Sequence, residues 1–192
     1  MKAPLTKLTH DQISARRLAG DDIQRAPRFP IYVLLDNIRS MYNVGSIFRT
    51  SDGARVKELI LTGFTPHPPR KEISKTALGA TDTVPWSYVK DPLEAIARLK
   101  GDGVRICLVE QTDGSRPHTS VQPEEFPLCL LIGNELTGIS SALVEAADMA
   151  IEIPMFGAKQ SLNAAVAYGI AVFEMVRVLQ EAPPTSSRRM PG

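Results

Sequence analysis

The sequence predicts an α/β fold, a mostly parallel sheet covered by helices on both faces. Two observations carry this. Apolar runs recur without the polar alternation of a half-solvated sheet, and segments with helical spacing stand between them. In chain order IYVLLD (31–36), ELILTG (58–63), VRICLVE (104–110), PLCLLIG (127–133) and DMAIEIP (148–154) read as strands, and TVPWSYV (83–89) adds a less regular one. Pro154 punctuates the last of them, because proline cannot continue a hydrogen-bonded ladder.

Helical spacing falls over 43–54, 91–101, 140–147 and 161–181. In the last of these, Leu162, Val166, Ile170, Phe173, Val176 and Leu179 recur every three or four residues and predict one buried stripe. Glu174, Arg177 and Glu181 fall on the other face. Before Glu174 that face too is uncharged, so the first turns are expected to be enclosed on all sides, by this chain or by a second subunit. Residues 1–28 read as an appended, partly helical arm, 29–182 as the main domain, and PPTSSRRMPG (183–192) as a disordered tail by composition.

A chain of 192 residues can hold one sizeable core. No apolar run approaches the ~20 residues of a membrane span, and the start lacks the apolar core of a signal peptide. Cys107 and Cys129 lie inside apolar runs and are expected to be buried free thiols. Cytoplasm is the expected compartment, with no membrane partner. The net charge is +1 but unevenly placed: residues 1–80 hold 13 Lys/Arg against 7 Asp/Glu, and 81–192 hold 9 against 14. That asymmetry suits a polyanion facing the N-terminal half, as well as scattered solvated charge.

Ligands of open α/β sheets bind where loops leave the carboxyl ends of strands. Three such exits are rich in small and polar residues: LLDNIRSMYNVGSIFRTSDG (34–53), LLIGNELTGIS (130–140) and IPMFGAKQSLNAAVAYGI (153–170). None contains a P-loop or a dinucleotide fingerprint. His10, His67 and His118 have no metal-ligand spacing and read as surface residues, so no metal is expected. No G-x-S-x-G elbow surrounds Ser161, which argues against a serine hydrolase. Ser161 also suits a helix N-cap, and Asn134 suits a left-handed turn after its strand.

In order and wording the three exits resemble motifs 1, 2 and 3 of the SPOUT superfamily, in its TrmH/SpoU branch of RNA 2′-O-ribose methyltransferases. Motif 1 resembles Asn43-Val44-Gly45-Ser46-Ile47-Phe48-Arg49, motif 2 Gly133 to Ser140, and motif 3 Ile153-Pro154-Met155 with Ser161-Leu162-Asn163. GFTPHPPRKEISKTALGATDTVPW (63–86) also resembles the family's linker, and the likeness covers roughly residues 30 to 180. Ala164-Ala165 stands where members often carry valine and serine, which shrinks side chains near the pocket.

The resemblance implies a C-terminal trefoil knot, S-adenosyl-L-methionine as cofactor, and a homodimer with the active site between subunits. It implies methyl transfer to a ribose hydroxyl of tRNA or rRNA; no DNA partner is expected. Carried onto this chain, the catalytic residues are Arg49, Asn43, Ser161, Asn163 and Glu135. A guanidinium has no acceptor lone pair, so the comfortable role for Arg49 is to grip a phosphate and stabilise the developing alkoxide. Glu135 would pair with Arg49 or brace Asn134. The cofactor residues are Gln111, Thr112, Ile132, Gly133, Asn134, Gly138, Ile153, Met155, Ser161 and Leu162, the glycines allowing close backbone approach.

Arg39, Arg70, Lys71 and Lys75 are candidate RNA contacts, and equally a solvated face; the same holds for Arg16, Arg17, Arg25 and Arg28 of the arm. With about thirty residues before the first strand, recognition would fall on the dimer, its basic half and the arm, which suits a structured stem-loop. Two other readings stand beside this one: a noncatalytic RNA-binding or assembly protein on the same scaffold, and methylation of a base atom.

Overall fold

The computed structural model describes residues 5–182; the tail expected over 183–192 lies outside them. Seven strands form one sheet: β1 (Ile31–Asp36), β2 (Glu58–Thr62), β3 (Trp86–Val89), β4 (Arg105–Val109), β5 (Arg116–Pro117), β6 (Leu128–Ile132) and β7 (Met149–Glu152). Their order is β3-β2-β1-β6-β4-β7-β5, and every adjacent pair is parallel. The six predicted strands are all present within a residue or three of their expected limits, because runs buried on both faces announce themselves. The two-residue β5 carried no such signal.

Consecutive strand residues feed different faces. Val33, Leu35, Leu59, Leu61 and Leu130 pack under α3 (Met41–Gly53), α4 (Lys71–Ala77), α5 (Ala80–Thr83) and α8 (Ala164–Glu181). Leu34, Ile60, Ile106, Leu108 and Leu131 pack under α6 (Pro92–Gly101) and α7 (Ser141–Ala146). Helices therefore cover both faces, as predicted. Cys107 and Cys129 are buried and free; burial pushes the Cys107 thiol up to about 12 and the Cys129 thiol higher still, so neither is a nucleophile near neutrality.

Three sequence expectations need correction. The helix expected from Ser161 starts at Ala164, and its N-cap is Asn163, whose Oδ1 accepts from the amides of Ala165 and Val166 at 2.9 and 3.3 Å. The expected stripe of that helix is out of phase over its first turns, although Val176 is buried as expected and Leu179 packs against the core. Tyr168, Ala171, Val172, Met175 and Val178 take the core, whereas Val166, Ile170 and Phe173 are 51%, 38% and 50% exposed. Tyr168 wins because its ring fills the core and its hydroxyl is satisfied by Ser51 Oγ at 2.7 Å, in a helix apolar enough all round to leave its phase open. This chain therefore does not enclose the first turns. Finally, the 63–86 segment holds α4 and α5, too short to show a period.

The arm carries α1 (His10–Ser14) and α2 (Asp22–Arg25). Its end is fastened by cations to backbone carbonyls. Arg55 donates to the carbonyls of Ile23, Ala26 and Pro27, and Arg28 to those of Val56 and Thr83. Arg28 thus has a structural role rather than that of a free phosphate ligand. Of the histidines expected at the surface, His67 is half-buried, tilted against Tyr88 with ring centroids 4.8 Å apart.

Candidate active site

The strand order reverses at β1: the chain runs outward through β2 and β3, then returns to place β6 and β4 on the other side. A crevice is expected at such a switch point. A cavity of ≈ 270 Å³ opens on the β6 side of it, walled by the loops that leave β4, β6 and β7.

Nine of the ten predicted cofactor residues line it: Gln111, Ile132, Gly133, Asn134, Gly138, Ile153, Met155, Ser161 and Leu162. Thr112 does not. It closes a turn on itself, its amide donating to Ser115 Oγ at 3.3 Å and its carbonyl accepting from that hydroxyl at 2.8 Å. The glycines are required by space. A Cβ on Gly133 would lie 2.5 Å from Ile139 Cγ1 and 2.8 Å from the Gly138 carbonyl carbon; Gly138 itself has φ +66°, and a Cβ there would meet Glu110 Oε2 at 2.9 Å.

Asn134 fixes the β6 loop. Its Oδ1 accepts from the amides of Leu136 and Thr137 at 2.8 and 3.1 Å, and its Nδ2 donates to the Asn37 carbonyl at 2.7 Å. The left-handed residue at this corner is Asn37 (φ 56°), not Asn134.

Glu135 neither pairs with Arg49 nor braces Asn134. It caps α3: its carboxylate accepts from the amides of Arg39 and Ser40 at 2.9 and 3.3 Å and from Asn43 Nδ2 at 2.9 Å. Anions suit a helix N-terminus, which is the physical reason for the pairing. Burial pushes this carboxyl up, but hydrogen bonds from the backbone of Arg39, its own backbone, Asn43 and Ser40 outweigh it and hold it below the usual range. Asn43 in turn accepts from Asn163 Nδ2 at 3.1 Å. Three of the five predicted catalytic side chains thus form one chain of hydrogen bonds across the starts of α3 and α8, and Ser161 is on the cavity wall.

Arg49 stands apart. It lies on α3, exposed, outside the cavity wall of its own chain, and among the described residues it makes no ion pair. Arg39, Arg70, Lys71 and Lys75 are likewise exposed and unpaired among the described residues.

Sequence reasoning missed Glu110 and Glu152, which bring two carboxylates to the cavity wall, along with Leu136, Ala164 and Ala167. The signal available was position: Glu110 ends the run 104–110, and Glu152 stands two residues before the Pro154 that closes the run 148–154. Among the described residues no cluster able to hold a metal ion and no helix long and apolar enough to cross a membrane is found.

A parallel sheet with a glycine-walled, partly acidic cavity at the carboxyl ends of β4, β6 and β7 defines an α/β protein with a ligand-sized site in the usual place for this fold. The sequence model of the SpoU rRNA Methylase family matches residues 30–173, and the chain belongs to that family. It is 34% identical over 158 residues to a 23S rRNA (guanosine-2′-O-)-methyltransferase, RlmB, of Vibrio vulnificus, covering 82% of this chain and 63% of the relative. It is 31% identical to a tRNA (guanosine(18)-2′-O)-methyltransferase of Escherichia coli over 78% of this chain and 64% of that protein. The chain thus spans less than two thirds of the length of these curated relatives. Among solved structures, an AdoMet-bound rRNA methyltransferase from Sinorhizobium meliloti superimposes with a TM-score of 0.73 at 31% identity, covering 80% of this chain and 58% of that one.

Proposed function

We propose that this chain is an S-adenosyl-L-methionine-dependent RNA 2′-O-ribose methyltransferase, working in the cytoplasm as a homodimer on a tRNA or rRNA. The observation that carries the reading is the cavity: nine residues carried over from the family motifs converge on one wall, beside the Glu135–Asn43–Asn163 chain. The residues present suit the cofactor. Gly133 and Gly138 let backbone come close, Ile153, Met155 and Leu162 offer apolar surface to an adenine, and Glu110 and Glu152 complement a cationic sulfonium and ammonium.

When bound, S-adenosyl-L-methionine supplies a methyl group on a positively charged sulfur. The chain's own work is positioning, which supplies on the order of 7–11 kcal/mol in well-oriented systems. The cavity loops fix the donor; Asn43, held by Glu135 and Asn163, and Ser161 orient the ribose edge. Arg49 grips the neighbouring phosphate and stabilises the alkoxide as it forms. Because Arg49 is exposed and absent from its own cavity wall, it serves the cavity of a second copy. The uncovered stripe of Val166, Ile170 and Phe173 supports such a pairing. The C-terminal segment threads as a trefoil knot, a reading supported by β6 lying between β1 and β4 although it follows both in sequence.

Incubation with methyl-labelled cofactor and total bacterial RNA, followed by nuclease digestion and mass spectrometry, tests this. Label on a 2′-O-methylated nucleoside is expected. Label on a base, or no binding of the cofactor at near-millimolar concentration in calorimetry, overturns it, the latter in favour of a noncatalytic RNA-binding protein.

A further inference from the structure

Phe64 is 63% exposed, and the protein holds it out by design of the backbone beneath it. It follows β2 directly. Gly63 has φ +61°, and a Cβ there would sit 2.1 Å from Asn37 Oδ1, so only glycine fits. Asn37 is itself left-handed, a conformation that persists only where the surroundings impose it. Its Oδ1 accepts from the Phe64 amide at 3.0 Å. On the other side Thr65 is buried, its hydroxyl donating to the Leu35 carbonyl at 3.1 Å and accepting from the Ile38 amide at 3.0 Å. Tyr88 ties the loop a third time, its hydroxyl donating to the Gly63 carbonyl at 2.8 Å. A ring between two such anchors cannot retreat into the core.

The same junction reaches the cavity. The Asn37 carbonyl accepts from Asn134 Nδ2 at 2.7 Å, and Asn134 is on the cavity wall. Phe64 is therefore at a set position relative to the site, one residue removed through Asn37. Arg39 follows Asn37 by two residues, Arg70 ends the Phe64 loop and Lys71 opens α4, all exposed and unpaired among the described residues; the ring beside Phe64 is that of Tyr88, 41% exposed. A protein partner would call for a contiguous apolar patch. Exposed aromatic faces, Phe64 with Tyr88 beside it, on a segment that carries exposed cations match the other chemistry, an unpaired base of an RNA loop with its phosphates.

We propose that Phe64 is a stacking platform for an unpaired nucleobase next to the nucleotide methylated in the cavity, with Arg39, Arg70 and Lys71 holding the adjoining phosphates. The assignment rests on the RNA methyltransferase reading above. It gives the compact chain a way to tell a loop from a duplex, which cations alone do not provide.

The test uses the full chain and two RNA probes, a hairpin with a seven-nucleotide loop carrying 2-aminopurine and a blunt duplex of the same stem sequence. Phe64→Ala is expected to weaken hairpin binding by roughly five- to a hundredfold and abolish quenching of the 2-aminopurine, with Phe64→Trp restoring both. Duplex affinity and calorimetric binding of S-adenosylmethionine, which also reports an intact fold, should change less than about twofold, since stacking is lost only for an unpaired base. Equal hairpin binding by wild type and Phe64→Ala overturns the platform while leaving the methyltransferase reading intact. Failure of the wild-type protein to bind either RNA overturns both. A Phe64→Ala protein that sediments as a smaller species than wild type assigns the ring to a subunit contact and overturns the platform.

Discussion

Arg49 and Glu135 stand in separate places, although the sequence left open whether Glu135 pairs with Arg49 or braces Asn134. Arg49 is expected to matter for transfer and not for holding the cofactor, because it touches no part of its own cavity wall. Arg49→Ala should lower the rate of methyl transfer by about 10²- to 10³-fold, the usual cost of one lost charge-stabilising donor, and leave the calorimetric affinity for S-adenosylmethionine unchanged. A matching loss of affinity would place the guanidinium in the cofactor site. Glu135 is a cap, and its carboxyl titrates below the usual range in the folded protein. Its contribution is then present in full above the ordinary glutamate pKa of about 4.3 and fades as pH falls through the lower folded value. Glu135→Gln should unfold at a lower temperature than wild type at pH 6, and the gap between the two melting curves should narrow as pH falls below the ordinary glutamate range. These residues were legible because a motif fixes both type and spacing. Their partners were not: that Glu135 reaches the amides of Arg39 and Ser40 depends on β6 lying beside β1, a pairing of segments almost a hundred residues apart.

Among the elements, α3 is the one whose placement positions most of the site, and Gly45 is what lets it approach α4. A Cβ at Gly45 would fall 2.1 Å from Thr76 Oγ1 and 2.4 Å from the Ile73 carbonyl oxygen, and backbone gives way poorly. Gly45→Ala should cost about 1–3 kcal/mol in denaturant unfolding, against the small gain in helix propensity that alanine would otherwise bring. An unchanged midpoint would mean that the two helices slide apart freely. Strands were readable from the sequence and so was the existence of α3, α6, α7 and α8. The phase of α8 was not. A helix apolar on every side carries no information about which side is inside, and the decision fell to one buried hydroxyl pair, Ser51 with Tyr168. The short α4 is delimited by backbone at Leu78 (φ 49°) and Gly79 (φ 87°), local geometry that no periodicity reports.

For the molecule as a whole, the basic N-terminal half carries Arg39, Arg49, Arg70, Lys71 and Lys75 among its exposed cations, none in an ion pair among the described residues. The C-terminal half carries the cavity and its three carboxylates, Glu110, Glu135 and Glu152. On the proposed reading the exposed cations would meet phosphates, the cavity would hold the donor without Arg49 on its wall, and the uncovered stripe on α8 is the face through which a second copy would bring the two together. Mixing two inactive proteins measures this directly. Arg49→Ala and the cavity-filling Ser161→Trp are co-refolded and assayed for methyl transfer to RNA. If Arg49 of one copy serves the cavity of the other, the mixed dimer regains one working site, and the mixture recovers about a quarter of wild-type activity, as expected for random pairing in a two-fold dimer. If Arg49 serves its own cavity, or no dimer forms, the mixture stays as inactive as its parents, and the shared-site account is wrong.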